Sequence, residues 1–178
     1  MNHLPDPIAL PHGYIQRPWQ TEDLDSVTAL DALIFGPDAW SHALFADEYA
    51  ASEGSVPDRF YQVITHHDEA IIGFAGLLYG PPFADVTTIG IHPDHTGNKL
   101  GAALLVWLIR TAHKLGAEDL LLEVRADNTV AQRLYADNGF THIHTRRRYY
   151  PGGVDAWVMR KRLRHPGPST AVALSNKE

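Results

Sequence analysis

The stretch from Val86 to Leu115 constrains the fold more than any other. A β-branched run, VTTIGI, enters a polar turn, HPDHTGNK, and leaves it as a long apolar-periodic segment with Leu104, Leu105, Leu108, Ala112 and Leu115 at helical spacing. Gly116 supplies the stop. A strand delivered into a long one-sided helix commits the chain to an α/β packing, because the apolar stripe of that helix has to be buried against a sheet.

The remaining segments extend the pattern. Tyr14 to Pro18 reads as a short strand, and Thr21 is placed to cap a helix running through Asp31 to Phe35, with Glu22 and Asp23 in its first turn. Gly36-Pro37 stops it, and Ser41 or Asp38 opens a second helix over Ala43 to Ala51. Phe60 to Thr65 and Ala70 to Tyr79 flank the polar His66-His67-Asp68-Glu69 and read as a hairpin, which Gly80-Pro81-Pro82 ends. Leu120 to Val124 is a strongly apolar strand. Thr129 to Asn138 is a short helix closed by Gly139, and Phe140 to Tyr149 and Val154 to Met159 are two further strands. For that order, a mixed sheet with helices on both faces is the economical packing. Residues 14–163 make one domain, 1–13 a flexible arm, and the aperiodic Pro/Gly/Ser/Ala tail 164–178 is expected to be disordered.

Composition removes several functional classes. The chain has no cysteine, which excludes disulfides, thiolate metal sites and a cysteine nucleophile. Twenty-one acidic against fifteen basic residues leave a net charge of −6, which argues against nucleic acid or anionic lipid and favours a basic substrate. No stretch approaches the roughly 20 apolar residues of a membrane span, and the first residues lack the pattern of a signal peptide, so a cytoplasmic protein is expected. The eleven histidines show no ligand spacing: His66-His67 sits in a turn, and His142 and His144 share a strand face without a third partner, so no metal is expected.

The chemistry concentrates in three places. The turn Thr96-Gly97-Asn98-Lys99-Leu100-Gly101 aims unpaired amides and a positive helix end at one spot where a pyrophosphate fits, although the same glycines also suit turn geometry and helix packing. In Leu121-Leu122-Glu123-Val124, alternation turns Glu123 away from the core face of Leu122 and Val124, either as a base or as one half of an ion pair with Arg125 or another arginine. Tyr135 falls on the core-facing side of its helix as a half-buried aromatic whose phenol is also a plausible proton donor.

Taken together, TTIGIHPDHTGNKLGAALL, LLLEVRADNTVAQRLYADNGF and RRRYYPGGVDAWVM resemble the GNAT superfamily of N-acetyltransferases, and within it the bacterial enzymes that acetylate a ribosomal-protein alanine. The likeness covers Val86 to Arg160 closely, and Phe35 to Trp40 resembles that group's loop between its first two helices. It implies a central mixed, mostly antiparallel sheet flanked by helices, and acetyl-coenzyme A as cosubstrate. Its pantetheine arm would lie along Ile89, Gly90 and Ile91, its pyrophosphate against Gly97, Asn98, Lys99, Leu100, Gly101 and Ala102, with Asn128 also in contact. It further implies Glu123 as the base for the acceptor amine and Tyr135 as the acid for the departing thiolate. Tyr149, Tyr150 and Trp40 would meet the acceptor, the N-terminus of a basic ribosomal protein. Lysine side chains, small amines, or a binding-only role for acyl-coenzyme A are the rival readings. The family's loop is written Q/R-x-x-G-x-G/A; here Thr96 replaces the first residue and Lys99 the first glycine, where lysine does not freely take glycine's conformations.

Overall fold

The computed structural model describes residues 5–67 and 70–163. Asp68 and Glu69 of the expected hairpin turn, and the expected disordered tail 164–178, lie outside the described residues. Seven strands among those described form one sheet: β1 (Tyr14–Pro18), β2 (Arg59–His66), β3 (Ile71–Gly80), β4 (Phe83–Ile91), β5 (Asp119–Arg125), β6 (Thr141–Tyr150) and β7 (Val154–Arg162). Their spatial order is β1-β2-β3-β4-β5-β7-β6, and every neighbouring pair is antiparallel except β4 and β5. That one parallel pair follows from α3 (Leu100–Leu115), the crossover that returns the chain to the same end of the sheet.

Helices α1 (Leu24–Phe35) and α2 (His42–Ser52) cover one face, while α3 and α4 (Thr129–Asp137) cover the other. Two apolar layers result, divided by the sheet. Trp19, Val27, Leu30, Phe45, Val63 and Phe74 form the first; Ile64, Leu104, Leu108, Leu122, Val124 and Tyr135 belong to the second. Val63 and Ile64, adjacent in β2 and both fully buried, enter different layers because successive strand residues face opposite sides. From the arm expected to be flexible, Ile8 and Leu10 pack against the second layer, and the Ile8 amide donates to Gln16 Oε1 at 3.2 Å.

Two helix starts refine the sequence reading. The first helix is entered through a 3-10 turn, Thr21–Asp23, and Thr21 does not cap it. Asp23 stands at the N-cap position of α1 without a side-chain bond to that helix; its carboxylate closes the 3-10 turn by accepting the Gln20 amide at 2.8 Å while holding both terminal nitrogens of Arg17 at 2.6 and 2.8 Å. A charged, bidentate bond tied to β1 outweighs a hydroxyl cap. For α2 the choice falls on Ser41, whose Oγ accepts the Leu44 amide at 3.2 Å; Asp38 is engaged elsewhere.

What places a site in this sheet is the way β4 and β5 part. They pair only at Phe83–Asp119, Ala84–Leu120 and Asp85–Leu121. Beyond those rungs β4 stays paired with β3 as far as Ile91 and β5 with β7 as far as Arg125, so each keeps one neighbour and leaves one edge open. The result is a wedge-shaped gap in the middle of the sheet. At its apex the β3–β4 register slips, leaving Thr87 without a partner residue in a β-bulge.

Candidate active site

Glu123 lies on the open edge of β5. Its neighbours Leu122 and Val124 are buried in the α3–α4 layer, so its carboxylate projects from the opposite face, toward the side of α1 and α2. There it accepts Arg146 Nη1 at 2.5 Å. The ion pair that the sequence allowed is therefore made, with Arg146 across β7 rather than with Arg125. Arg125 binds Asp127 at 2.9 and 3.0 Å and Asp38 at 2.5 Å. The Asp38 side chain is only 10% exposed, so this bridge ties the end of β5 to the turn between α1 and α2.

Tyr149 and Tyr150 assemble around these charges. The Arg146 guanidinium stands 3.9 Å from the Tyr149 ring centre and that of Arg125 5.2 Å from the Tyr150 ring, with the two tyrosines edge-on at 5.1 Å. Burial, reinforced by the charges of Glu123 and Asp38, pushes the Tyr150 hydroxyl up to about 12, so it is a hydrogen-bond donor at neutral pH. Regular strand alternation breaks down along Arg146-Arg147-Arg148. The β6–β7 register slips between Arg146 and Tyr150, and Arg148 adopts a φ of +53° while its amide donates to Asp155 at 2.8 Å. A second slip, between His142 and His144, places those histidines opposite Met159 and Val158 and so on opposite faces. Trp40 packs on Phe45 in the α1–α2 layer, and its amide donates to the buried Asp31 at 2.6 Å.

On the other face of the sheet, Tyr135 is 5% exposed, deeper than its half-buried expectation, with the Phe140 ring 5.9 Å away. Burial drives its hydroxyl well above the ordinary phenol range, and the nearby Tyr150 adds to the shift.

The turn before α3 forms an amide cradle. Ala103 is the first amide of the helix to find an acceptor, the Lys99 carbonyl at 3.0 Å. Among the described residues, the amides of Gly97 to Ala102 donate to no protein acceptor. Gly97 has a φ of +83°, and a Cβ there would meet nothing within 4 Å, so the concave side is open. Side chains in this region serve the scaffold: Asn98 donates to the His95 carbonyl at 3.1 Å, Asn128 caps α4 by accepting the Ala131 amide at 3.0 Å, and Leu100 is core. Ile89 and Ile91 pack toward α3, while Gly90 lies against Ile34 and Phe74 on the other face. The backbone and the exposed Lys99 side chain are what remain to meet a ligand, and a run of free amides at a helix start suits a pyrophosphate.

Lys99 holds a φ of +60°, in the left-handed region that glycine occupies without penalty. Replacing Lys99 by Gly is expected to raise the unfolding free energy by about 1 kcal/mol, and Tm by about 2–4 °C, in a thermal melt. A fall in Tm would mean that the lysine side chain anchors the turn.

What sequence reasoning missed is the pairing: Arg125 with Asp38, and Arg146 as the arginine that takes Glu123. Their partners lie 87 and 23 residues apart in the chain, so no local pattern carries them.

A sheet opened between two parallel strands, with an amide cradle at the mouth, a carboxylate on one face and a buried phenol on the other, is an arrangement that can serve acyl transfer. The chain belongs to the acetyltransferase (GNAT) family, whose model matches residues 22–140, and is an acetyl-coenzyme A-dependent N-acetyltransferase. It is 36% identical over 145 residues to the N-alpha-acetyltransferase RimI of Mycobacterium tuberculosis (strain ATCC 25618 / H37Rv), covering 78% of this chain and 86% of that protein. An uncharacterized protein of Mycobacterium leprae (strain TN) is 35% identical over 145 residues, which are 78% of this chain but 38% of that longer protein. Among solved structures, the ribosomal-protein-S18-alanine N-acetyltransferase from Escherichia coli superposes with a TM-score of 0.77 at 29% identity, covering 88% of this chain and 97% of that one.

Proposed function

We propose that this chain transfers acetyl from acetyl-coenzyme A to the α-amino group of a protein N-terminus, an alanine of a basic small-subunit ribosomal protein, in the cytoplasm. The observation that carries the reading is the division of the gap between β4 and β5. Glu123 sits on the face that α1, α2, Tyr149 and Tyr150 leave open to an acceptor, and Tyr135 is enclosed on the face that α3 and α4 reserve for the cosubstrate. The names of the RimI relatives support the acceptor class.

In this reading the cosubstrate supplies the acetyl thioester. The open edge at Ile89 to Ile91 receives its extended arm, the amides of Gly97 to Ala102 receive its phosphates, and Asn128 lies beside it at the start of α4. Glu123 takes a proton from the acceptor ammonium; an α-amino group near pKa 7.7–8.0 asks less of a carboxylate than a lysine near 10.4. Tyr135, kept protonated by burial, gives its proton to the leaving sulfur. Tyr149 and Tyr150 hold the first residues of the acceptor, and Trp40 lines the wall behind them.

The test compares acceptor peptides led by alanine with N-terminally blocked peptides carrying only lysine. Coenzyme A release is expected to be at least about 10-fold faster with the former, measured as kcat/KM with a thiol reagent. Faster turnover of the lysine peptides would refute the α-amino assignment.

A further inference from the structure

The net charge of −6 conceals two unlike segments. Residues 1–98 carry fourteen Asp and Glu against two Lys and Arg, whereas residues 99–163 carry six against eleven. The first segment supplies β1 to β4 and the second β5, β7 and β6, so the sheet order puts acidic strands on one side of the gap and basic strands on the other. An overall balance that argues against nucleic acid therefore does not describe every face.

The basic side holds a groove of about 430 Å³ between the last turns of α3 and the end of β7, lined by Ile109, Arg110, His113, Lys161, Arg162 and Leu163. Its cations are less neutralised than those elsewhere. Arg17, Arg59, Arg125 and Arg146 each hold a carboxylate within 2.9 Å. Among the described residues, by contrast, no carboxylate lies within 4.0 Å of Arg110. Lys161 donates to a neutral partner, the Asn138 carbonyl, at 2.8 Å. Arg162, 74% exposed, stands 3.6 Å from Asp119, which Arg160 shares at 4.0 Å. The negative end of the α3 dipole is offset as well, because the Gly116 amide takes the Ala112 and His113 carbonyls and Lys114 stands in the last turn.

We propose that this groove is a docking surface for the phosphate backbone of RNA. Arg110 on the helical wall and Arg162 on the strand wall offer forked donors that bind phosphate oxygens in pairs, and Lys161 adds a point charge between them. A lipid surface fits less well. Membrane-surface elements combine their cations with bulky apolar side chains that enter the acyl boundary, and none of the large apolar side chains exposed among the described residues lines the groove. The choice of RNA among polyanions rests on the ribosomal-protein acceptor reading, since such an acceptor is met beside RNA. Arg162 lies four residues along β7 from Val158, the residue opposite Glu123, which is about 13 Å of strand. Docking and acetyl transfer therefore occupy separate places, and the groove holds RNA while the gap takes the N-terminus.

The experiment is fluorescence anisotropy of a labelled RNA hairpin between about 50 and 200 mM salt. It compares the unaltered chain, the double variant Arg110→Gln/Arg162→Gln, and Arg133→Gln, which removes an exposed cation of α4 outside the groove. The double variant is expected to bind at least about 10-fold more weakly and to lower the slope of log K against log salt by about 1.5, the loss of two phosphate contacts. Arg133→Gln is expected to stay within about twofold. Coenzyme A release with an alanine-led peptide is expected to be unchanged in the double variant, which also shows that it is folded. Absence of RNA binding by the unaltered chain, or equal losses in the double variant and Arg133→Gln, overturns the proposal. So does displacement of the hairpin by phosphatidylglycerol vesicles or polyglutamate as readily as by unlabelled RNA. Failure of the acceptor reading shows instead in the peptide comparison, which contains no RNA, just as the anisotropy contains no acceptor.

Discussion

Tyr135→Phe is expected to lower kcat by about two orders of magnitude while leaving coenzyme A affinity within about twofold. The substitution removes one oxygen and keeps the ring, so the packing against Phe140 and the α3–α4 layer survives. Because the phenol is buried, its ionised form is penalised, and the group remains a proton donor throughout the neutral range. A leaving thiolate of ordinary pKa near 8.5 is then protonated by a weaker acid, which requires the enclosed, preorganised geometry of this site and is lost entirely with the hydroxyl. The measurement pairs thiol release with calorimetry and a thermal melt. Unchanged kcat would reduce Tyr135 to a core aromatic. A loss of coenzyme A binding in step with kcat would assign it to positioning the cosubstrate rather than to proton transfer.

Much of this architecture is legible locally. The bounds of α3, its Gly116 stop and the Asn128 cap of α4 follow from side chains acting within a few residues, and the structure places them where the periodicity does. Glu123 was legible for the same reason: two apolar neighbours in a strand dictate which way it faces. What the chain does not announce is tertiary. The parting of β4 from β5 after three rungs is a property of two segments separated by a whole helix, and the bulge at Thr87 depends on what β3 presents opposite it. By local pattern Arg146 is one of three consecutive arginines on a strand. A register slip singles it out, and a strand pattern carries no sign of a slip. The partners of Arg125 fall outside local reasoning too, since Asp38 lies in a turn that local rules assigned to capping.

The bulge has a structural requirement that gives the largest expected loss of stability. Gly76 of β3 lies beneath it, and a Cβ there would collide with the Tyr61 ring and come within 2.5 Å of Thr87 Oγ1. Tyr61 has nowhere to go: its ring stacks on Trp19 at 3.9 Å, and its hydroxyl donates to Glu48 at 2.7 Å. Glu48 is in turn held by Arg59 at 2.9 Å. Gly76→Ala is therefore expected to cost about 3 kcal/mol and lower Tm by about 6–12 °C. The least constrained neighbour is Thr87, so the strain that remains is relieved by shifting the bulge. The shift displaces Asp85 on one side and Ile89 on the other, and kcat is expected to fall together with Tm. Gly101→Ala provides the contrast. Its Cβ would meet Leu134 at 3.6 Å and Ile91 at 3.8 Å, ordinary packing distances, and alanine is the better helix former. A thermal melt should show Gly101→Ala unchanged or slightly stabilised. If both variants melted alike, the collision at Gly76 would not be what sets the bulge, and the apex of the gap would owe its geometry to β5 instead.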